Sequence, residues 1–408
     1  MKNMQLSKTE KADEKIYESL ANEDERRLSK RLCLIGTFRS PTFSGRILNS
    51  LLKVFKKMEL ELAASERFLY GYQPKFELSR FAKKLLKRPE SGFYRLWAAP
   101  LEDLPPGVDK GAFWAFPGFD TSFADLTAIK KLRKADFVFL TSDAQAQICV
   151  QNGIKPSKIH VFHNLPVDRK IFKNNLPQPA GYEKEKGVFR FIISAHPLKR
   201  KGVELVLESY LKEFKNTEKV ELVIKLPRMP RAKKDLRFEI EDFAQKIGAL
   251  NRMFAKVTVI NEVLSDEEYG RLLSSADAYI AGNIKFNSGI NAFEAAACGL
   301  PVIAPSNITD FVPFEEGDFL SVETEKFKFE PGELYINSPK SYGKAMNKEA
   351  LQAAMRKAFA ESTQVRKIGL KAQRNLKKLK PATWGEMAEI IASRVYRKLL
   401  FQSLLEKK

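Results

Sequence analysis

Short apolar runs alternate with stretches of helical period along the chain, and this alternation predicts its elements. Leu32 to Gly36 reads as a strand, Thr37–Ser44 as a loop, and Arg46 to Phe55 as a helix with Leu51, Leu52 and Phe55 on one face. Further on, Leu126 to Arg133 reads as a helix, Phe137–Leu140 as a strand, Ala144–Asn152 as a helix ended by Gly153, and Ile159–Phe162 as a strand. Residues 173–187, rich in Pro, Gly, Asn and charge, break the rhythm and mark a linker. A second series follows: strand Phe189–Ser194, helix Val203–Phe214, strand Glu221–Leu226, helix Asp235 to Leu250, and strand Val257–Ile260. Ser265-Asp-Glu-Glu268 reads as a capping box opening a helix through Ser275, and strand Ala278–Ala281 comes next. The expected fold class is α/β, with two tandem Rossmann-like doubly wound domains facing a cleft. Their expected bounds are 31–175 and 187–383, after a charged extension over 1–30. A final helix over 384–408 is expected to pack back on the first domain.

The richest stretch is Phe286 to Pro305, where a Gly-containing loop runs into an Ala-rich helix carrying one carboxylate, Glu294. Gly299 stands where that helix stops, with Pro301 beyond it and an apolar strand through Val302 and Ile303. A helix that starts from a small-residue loop turns backbone N–H groups toward phosphate. An acidic side chain further along can accept hydrogen bonds from vicinal hydroxyls such as those of a ribose. The competing reading is a buried αβ unit whose glycine only makes a turn. A second candidate is the basic loop His196-Pro-Leu-Lys-Arg-Lys201-Gly202, at a strand-to-helix turn, where Lys201 reaches a phosphate and Gly202 admits the close turn. Here the competing reading is a solvated loop.

Length and charge narrow the classes. A chain of 408 residues exceeds one ordinary core. Lys and Arg number 70 against 50 Asp and Glu, a formal net charge of +20, which favours an anionic partner. No apolar run approaches a membrane span, the first residues are charged rather than leader-like, and Cys33, Cys149 and Cys298 are too scattered for a metal site. Buried thiols and a cytoplasmic location are expected. Dinucleotide and P-loop glycine motifs are missing. So is an Asp-x-Asp pair, and a diphosphate is therefore expected to rest on cations and helix N-termini with no metal. No sequence pattern of a nucleic-acid reader is present, and no nucleic-acid partner is expected.

The order of these features resembles the nucleotide-sugar glycosyltransferases of GT-B fold, above all the retaining group called glycosyltransferase family 4. Lys201-Gly202, Ala276-Asp277, Gly289 and Glu294-Ala-Ala-Ala-Cys-Gly-Leu-Pro-Val302 occupy the places of that family's K-G, A-D, glycine-loop and E-A-x-A-x-G-x-P-V motifs. Upstream, Lys134-Ala-Asp136 with Thr141-Ser142, and His163-Asn-Leu-Pro-Val-Asp168 through Phe172, are similar to its first-domain strand and domain exit. Ala382-Thr-Trp384 is similar to its entry into the last helix.

The resemblance implies transfer of a sugar from a nucleotide-diphosphate sugar, a co-substrate rather than a cofactor, to a glycan, lipid-linked or small-molecule acceptor, with retention and without metal. It implies Lys201 and Glu294 as catalytic residues, with Arg200, Gly202, Ser288, Gly289 and Glu294 binding the donor. Asp120, in Trp114-Ala-Phe-Pro-Gly-Phe-Asp120, is a candidate for acceptor contact. Two departures stand out. The family's first glutamate is Phe286 here, and His196 replaces an arginine often found five residues before the KG lysine, with Lys199 and Arg200 nearby. They motivate the alternative of a degenerate GT-B protein that binds nucleotide or glycan without catalysis. Finally, residues 80–97 interleave Arg80, Lys83, Lys84, Lys87 and Arg88 with Phe81, Leu85, Leu86, Phe93, Tyr94 and Trp97. A helix up to Arg88 with that pattern makes an anionic membrane surface a candidate partner, on the inner face of the membrane. The competing reading packs its apolar stripe onto the first domain.

Overall fold

The computed structural model describes residues 8–39, 43–66, 77–88, 90–100, 112–116, 130, 132–163, 166–195, 201–226, 242–243, 245–248, 254–284, 289–328, 342–379 and 383–405. It divides into two units, one made of 1–118, 124–166 and 381–408 and the other of 119–123 and 167–380.

The first unit holds helices α1 (Lys8–Leu20) and α2 (Glu23–Leu28), then β1 (Arg31–Gly36), α3 (Phe43–Phe55), β2 (Glu61–Glu66), α4 (Arg80–Leu85), β3 (Tyr94–Pro100), β4 (Ala112–Phe116), β5 (Phe137–Leu140), α5 (Asp143–Gln151) and β6 (Ile159–Val161). Its strands form one parallel sheet in the order β2-β1-β3-β4-β5-β6. The last helix, α11 (Trp384–Leu405), belongs to this unit too. Lys398 on α11 reaches Asp136 at 2.9 Å, and Asp136 also accepts the Tyr94 hydroxyl at 3.0 Å. On its other side Tyr396 donates to Glu18 at 3.2 Å, and Tyr17 and Phe401 meet ring to ring at 5.4 Å, so α1 is held against α11. At the start of α11 the backbone N–H of Thr383 donates to the Glu386 carboxylate and that of Glu386 to the Thr383 hydroxyl, a capping box that fixes where the helix begins.

The second unit runs β7 (Phe189–Ser194), α6 (Val203–Glu213), β8 (Val220–Leu226), β9 (Lys256–Asn261), α7 (Asp266–Ser274), β10 (Ala278–Ile280), α8 (Ile290–Ala297), β11 (Val302–Pro305), β12 (Leu320–Val322), the antiparallel hairpin β13 (Thr324–Lys328) and β14 (Tyr342–Met346), α9 (Lys348–Ala360) and α10 (Ser362–Lys378). Its parallel sheet has the order β12-β11-β10-β7-β8-β9. From β7 the strands β8 and β9 spread one way and β10, β11 and β12 the other, which is the doubly wound order. Successive residues of a strand point to opposite faces, yet all but the last of β7 and every residue of β11 are buried, so both faces of this sheet are covered. On one face Phe191, Tyr210 and Phe214 pack with centroids 5.3–6.4 Å apart, each ring pair adding about 0.5–1.5 kcal/mol beyond the area it buries.

One buried ion pair braces the amino end of this sheet. Arg190 Nε meets Glu221 Oε1 at 2.6 Å, and its remaining N–H groups go to the Tyr182 and Glu183 carbonyls and the Ser275 hydroxyl. Asp277 accepts the Arg190 backbone N–H at 2.7 Å and the Lys184 ammonium at 2.8 Å. Every charge there has a partner, as burial demands.

Candidate functional site

In a doubly wound sheet the loops leaving the two central strands diverge, and a ligand fits beyond the carboxyl ends of those strands. In the second unit they are β7, ending at Ser194, and β10, ending at Ile280. Lys201 and Gly202 follow β7 and open α6, while Gly289 opens α8 after β10 and Glu294 lies within that helix. Four expected site residues thus gather at one edge of one sheet. Arg200, Ser288 and Asp120 lie outside the described residues, as do His196, Lys199 and Phe286.

Both helix starts depend on glycine for two separate reasons. Gly202 has φ +64°, a left-handed conformation that a side chain strains, and a Cβ there would lie 1.9 Å from the Gly282 carbonyl oxygen. A Cβ on Gly282 would in turn meet Val206 Cγ2 at 2.9 Å and Ile193 Cδ1 at 3.1 Å. The loops after β7 and β10 therefore touch backbone to backbone. Gly289 has φ +61°, and its Cβ would fall 2.2 Å from Val312 Cγ2.

Neither glycine offers a side-chain cap to the helix it starts. By contrast, Asn22, Ser79, Ser142, Ser265 and Asn347 each accept a first-turn N–H of their helices. Gly202 and Gly289 thus give the starts of α6 and α8 no cap of their own, and the positive ends of these helices favour an anion.

Asn291, in the first turn of α8, donates its Nδ2 to the Ser194 carbonyl at 3.0 Å. The Tyr279 hydroxyl points at the same carbonyl at 3.5 Å. These contacts tie the start of α8 to the end of β7. Sequence reasoning missed Asn291; the available signal was one amide in an otherwise apolar helix start. It also gave no role to Gly282, whose reason is the close approach of Gly202.

Glu294 is 1% exposed. Burial and its carboxylate raise the Tyr279 hydroxyl pKa above the ordinary phenol value, and the same two causes push the Cys298 thiol up to about 12. A ribose hydroxyl reaches such a carboxylate only where the adjoining loop admits one. The α8 end is a Schellman turn: Gly299, at φ +78°, donates to the Ala296 carbonyl and Leu300 donates to that of Ala295. Helix α10 presses on this turn at Gly369, whose Cβ would lie 2.4 Å from Pro301 N, and Gln373 donates to the Ala297 carbonyl at 2.7 Å.

Among residues 80–97 the basic side chains are exposed while part of the apolar set packs into the unit. Helix α4 ends at Leu85, short of Arg88, with Ala82 and Leu85 buried. Trp97 lies in β3 at 3% exposure, Tyr94 is hydrogen-bonded to Asp136, and Phe93 lies under the Arg31 guanidinium at 4.4 Å. The aromatic residues expected to meet lipid are engaged within the unit. Among the described residues no helix is long and apolar enough to cross a membrane, and no group of three His, Cys, Asp or Glu side chains is placed to hold a metal ion. Cys33, Cys149 and Cys298 are buried free thiols.

Sucrose-phosphate synthase from Thermosynechococcus elongatus superposes with a TM-score of 0.59 at 15% identity, over 92% of this chain and 99% of that one. Anabaena HepE in complex with UDP and glucose gives 0.60 at 13% identity, over 89% and 100%. WaaG, a glycosyltransferase involved in lipopolysaccharide biosynthesis, gives 0.59 at 12% identity, over 88% and 99%. The fold is GT-B. No protein-family model and no curated protein matches the chain. At these identities the GT-B likeness rests on architecture: two parallel doubly wound sheets, spanning nearly the full length of both partners.

Proposed function

We propose that this GT-B chain is a glycosyltransferase, moving a sugar from a nucleoside-diphosphate sugar to the hydroxyl of a glycan or lipid-linked acceptor. The observation that carries the reading is the pair of glycine-started helices at the switch point of the second unit, with Lys201 immediately before one of them. As the bond from the anomeric carbon to the diphosphate oxygen breaks, the bonding pair goes to that oxygen. The charge then building on the diphosphate is met by the Lys201 ammonium and the two helix N-termini. The acceptor hydroxyl attacks the anomeric carbon from the face the diphosphate leaves, and its proton passes to the departing diphosphate oxygen. Retention and independence of metal follow from that scheme. Glu294 would accept the ribose hydroxyls, and the first unit would hold the acceptor.

Incubation with uridine, guanosine and adenosine diphosphates should raise the melting temperature with one of them, since a ligand of the folded state stabilises it by mass action. The matching nucleotide sugar should then release nucleoside diphosphate in the presence of a chelator. Lys201→Ala should cost about 1.5–3 kcal/mol of diphosphate affinity, the range for a charge-assisted hydrogen bond. No stabilisation by any of the three would refute the site. Stabilisation without release from any nucleotide sugar would favour the binding-only alternative that Phe286 motivates.

A further inference from the structure

We propose that the exposed face of helix α10 docks on an anionic lipid surface. The helix carries Arg366, Lys367, Lys371, Arg374, Lys377 and Lys378 and no Asp or Glu over its 17 residues. At 100° per residue these six cations fall within an arc of about 140°, along a line of about 18 Å. Val365, Gly369, Ala372, Gln373 and Leu376 are buried on the opposite side. Lys371 reaches Asp318 at 3.6 Å. Arg366, Lys367, Arg374, Lys377 and Lys378 are exposed, with no carboxylate in ion-pairing distance among the described residues. Four other cations of this unit do sit in ion pairs: Lys212 and Lys348 with Glu208, Arg356 with Glu213 and Glu218, and Lys256 with Glu185.

The helix itself gains little from this arrangement. Lys367 with Lys371 and Arg374 with Lys378 are like charges four residues apart, which destabilises a helix. Only Lys377 and Lys378, in the last turn, complement the helix dipole. A solvated face would intersperse both signs.

The occupant is a surface of smeared negative charge. None of the exposed positions of α10 is aromatic, so the stacking platform that binds single-stranded nucleic acid is missing from this face. A straight ridge of cations matches a plane of anionic headgroups, to which each basic residue adds about fivefold in partitioning. The inference does not rest on the catalytic reading, because it concerns a face of α10 and not the switch point.

The test is sedimentation of the full-length chain with vesicles of phosphatidylcholine, with and without phosphatidylglycerol. Binding is expected only to the anionic vesicles, and it should weaken as salt is raised. The quadruple variant Arg366→Glu, Lys367→Glu, Arg374→Glu, Lys378→Glu should lower partitioning more than a hundredfold, at about fivefold per cation removed. The same four positions changed to Ala keep helix propensity and should lower it comparably with an unchanged melting temperature. Reversing Arg80, Lys83, Lys84 and Lys87, an equal change of net charge, should leave most of the binding in place. Absence of binding to anionic vesicles would overturn the proposal. So would equal losses from the two sets of reversals, or binding to RNA but not to vesicles that the α10 variant abolishes.

Discussion

Replacing Gly202 by Ala tests the geometry of the switch point most directly. Its φ of +64° charges any side chain about 1–2 kcal/mol for left-handed backbone. The new Cβ would also sit 1.9 Å from the Gly282 carbonyl oxygen, and backbone gives way less readily than a side chain. Overpacking of this kind costs about 1–3 kcal/mol, for a total of roughly 2–5 kcal/mol. In a unit of this size each kcal/mol lowers the melting temperature by about 2–4 °C, so a fall of roughly 4–20 °C is expected. Gly187→Ala is the matched control. Its φ is +80°, but nothing lies within 4 Å of its Cβ, so it bears only the conformational term. Thermal unfolding of the two variants, followed by circular dichroism, separates conformation from contact. Nucleoside-diphosphate affinity should fall in Gly202→Ala and not in Gly187→Ala, because only the former displaces the loop after β7 from that after β10. If Gly202→Ala melts no lower than Gly187→Ala, the backbone contact is not there and the site as described is wrong.

Three further outcomes can be checked. Glu221→Gln leaves Arg190 charged and buried, and should destabilise by about 3–5 kcal/mol in urea unfolding; an unchanged midpoint would mean that the pair does not hold the sheet. Asn291→Ala should weaken nucleoside-diphosphate binding while moving the melting temperature little, since its amide bridges to Ser194 across the site; a variant with wild-type affinity would remove Asn291 from the positioning scheme. Burial, with the Glu294 carboxylate for Cys298, pushes the Cys149 and Cys298 thiols from 9.0 up to about 12. The stability they contribute is present below pH 9.0 and lost as pH rises toward 12, and native protein at mildly alkaline pH should resist a thiol reagent that labels the unfolded chain.

Much of this architecture is legible in the residues because local rules and tertiary packing agree. Phe189–Ser194 is a strand in pattern and in structure, Ser265 and Glu268 close the expected capping box, and Gly299 ends α8 in the left-handed turn its position announces. What stays hidden is whatever depends on a partner far along the chain. The pattern of residues 80–88 defines an apolar stripe but not what covers it, and α4 packs against β2. Trp97 reads as an aromatic beside basic residues, but in β3 it is interior. The pairing of Gly202 with Gly282 has no local signal, since the two are joined only through the adjacency of β7 and β10. The burial of Glu294 is hidden for the same reason.

The motif residues of the second unit accordingly divide by what they touch. Asp277 holds the start of β7 through the Arg190 N–H and the Lys184 ammonium, on the end of the sheet opposite the switch point. Gly299 and Pro301 form the surface on which Gly369 of α10 rests. The contacts of these residues are structural and would be needed whether or not the chain catalyses anything. Gly202 and Gly289 do both jobs, because the same absence of a side chain that lets the loops pack also leaves two helix starts without a cap from the N-cap residue itself. Lys201 is different: the turn requires glycine at 202 for its backbone, whereas the role proposed for Lys201 rests on its charge. A chain that keeps its stability without that lysine and loses its affinity for diphosphate would therefore locate the chemistry at a residue the fold does not need.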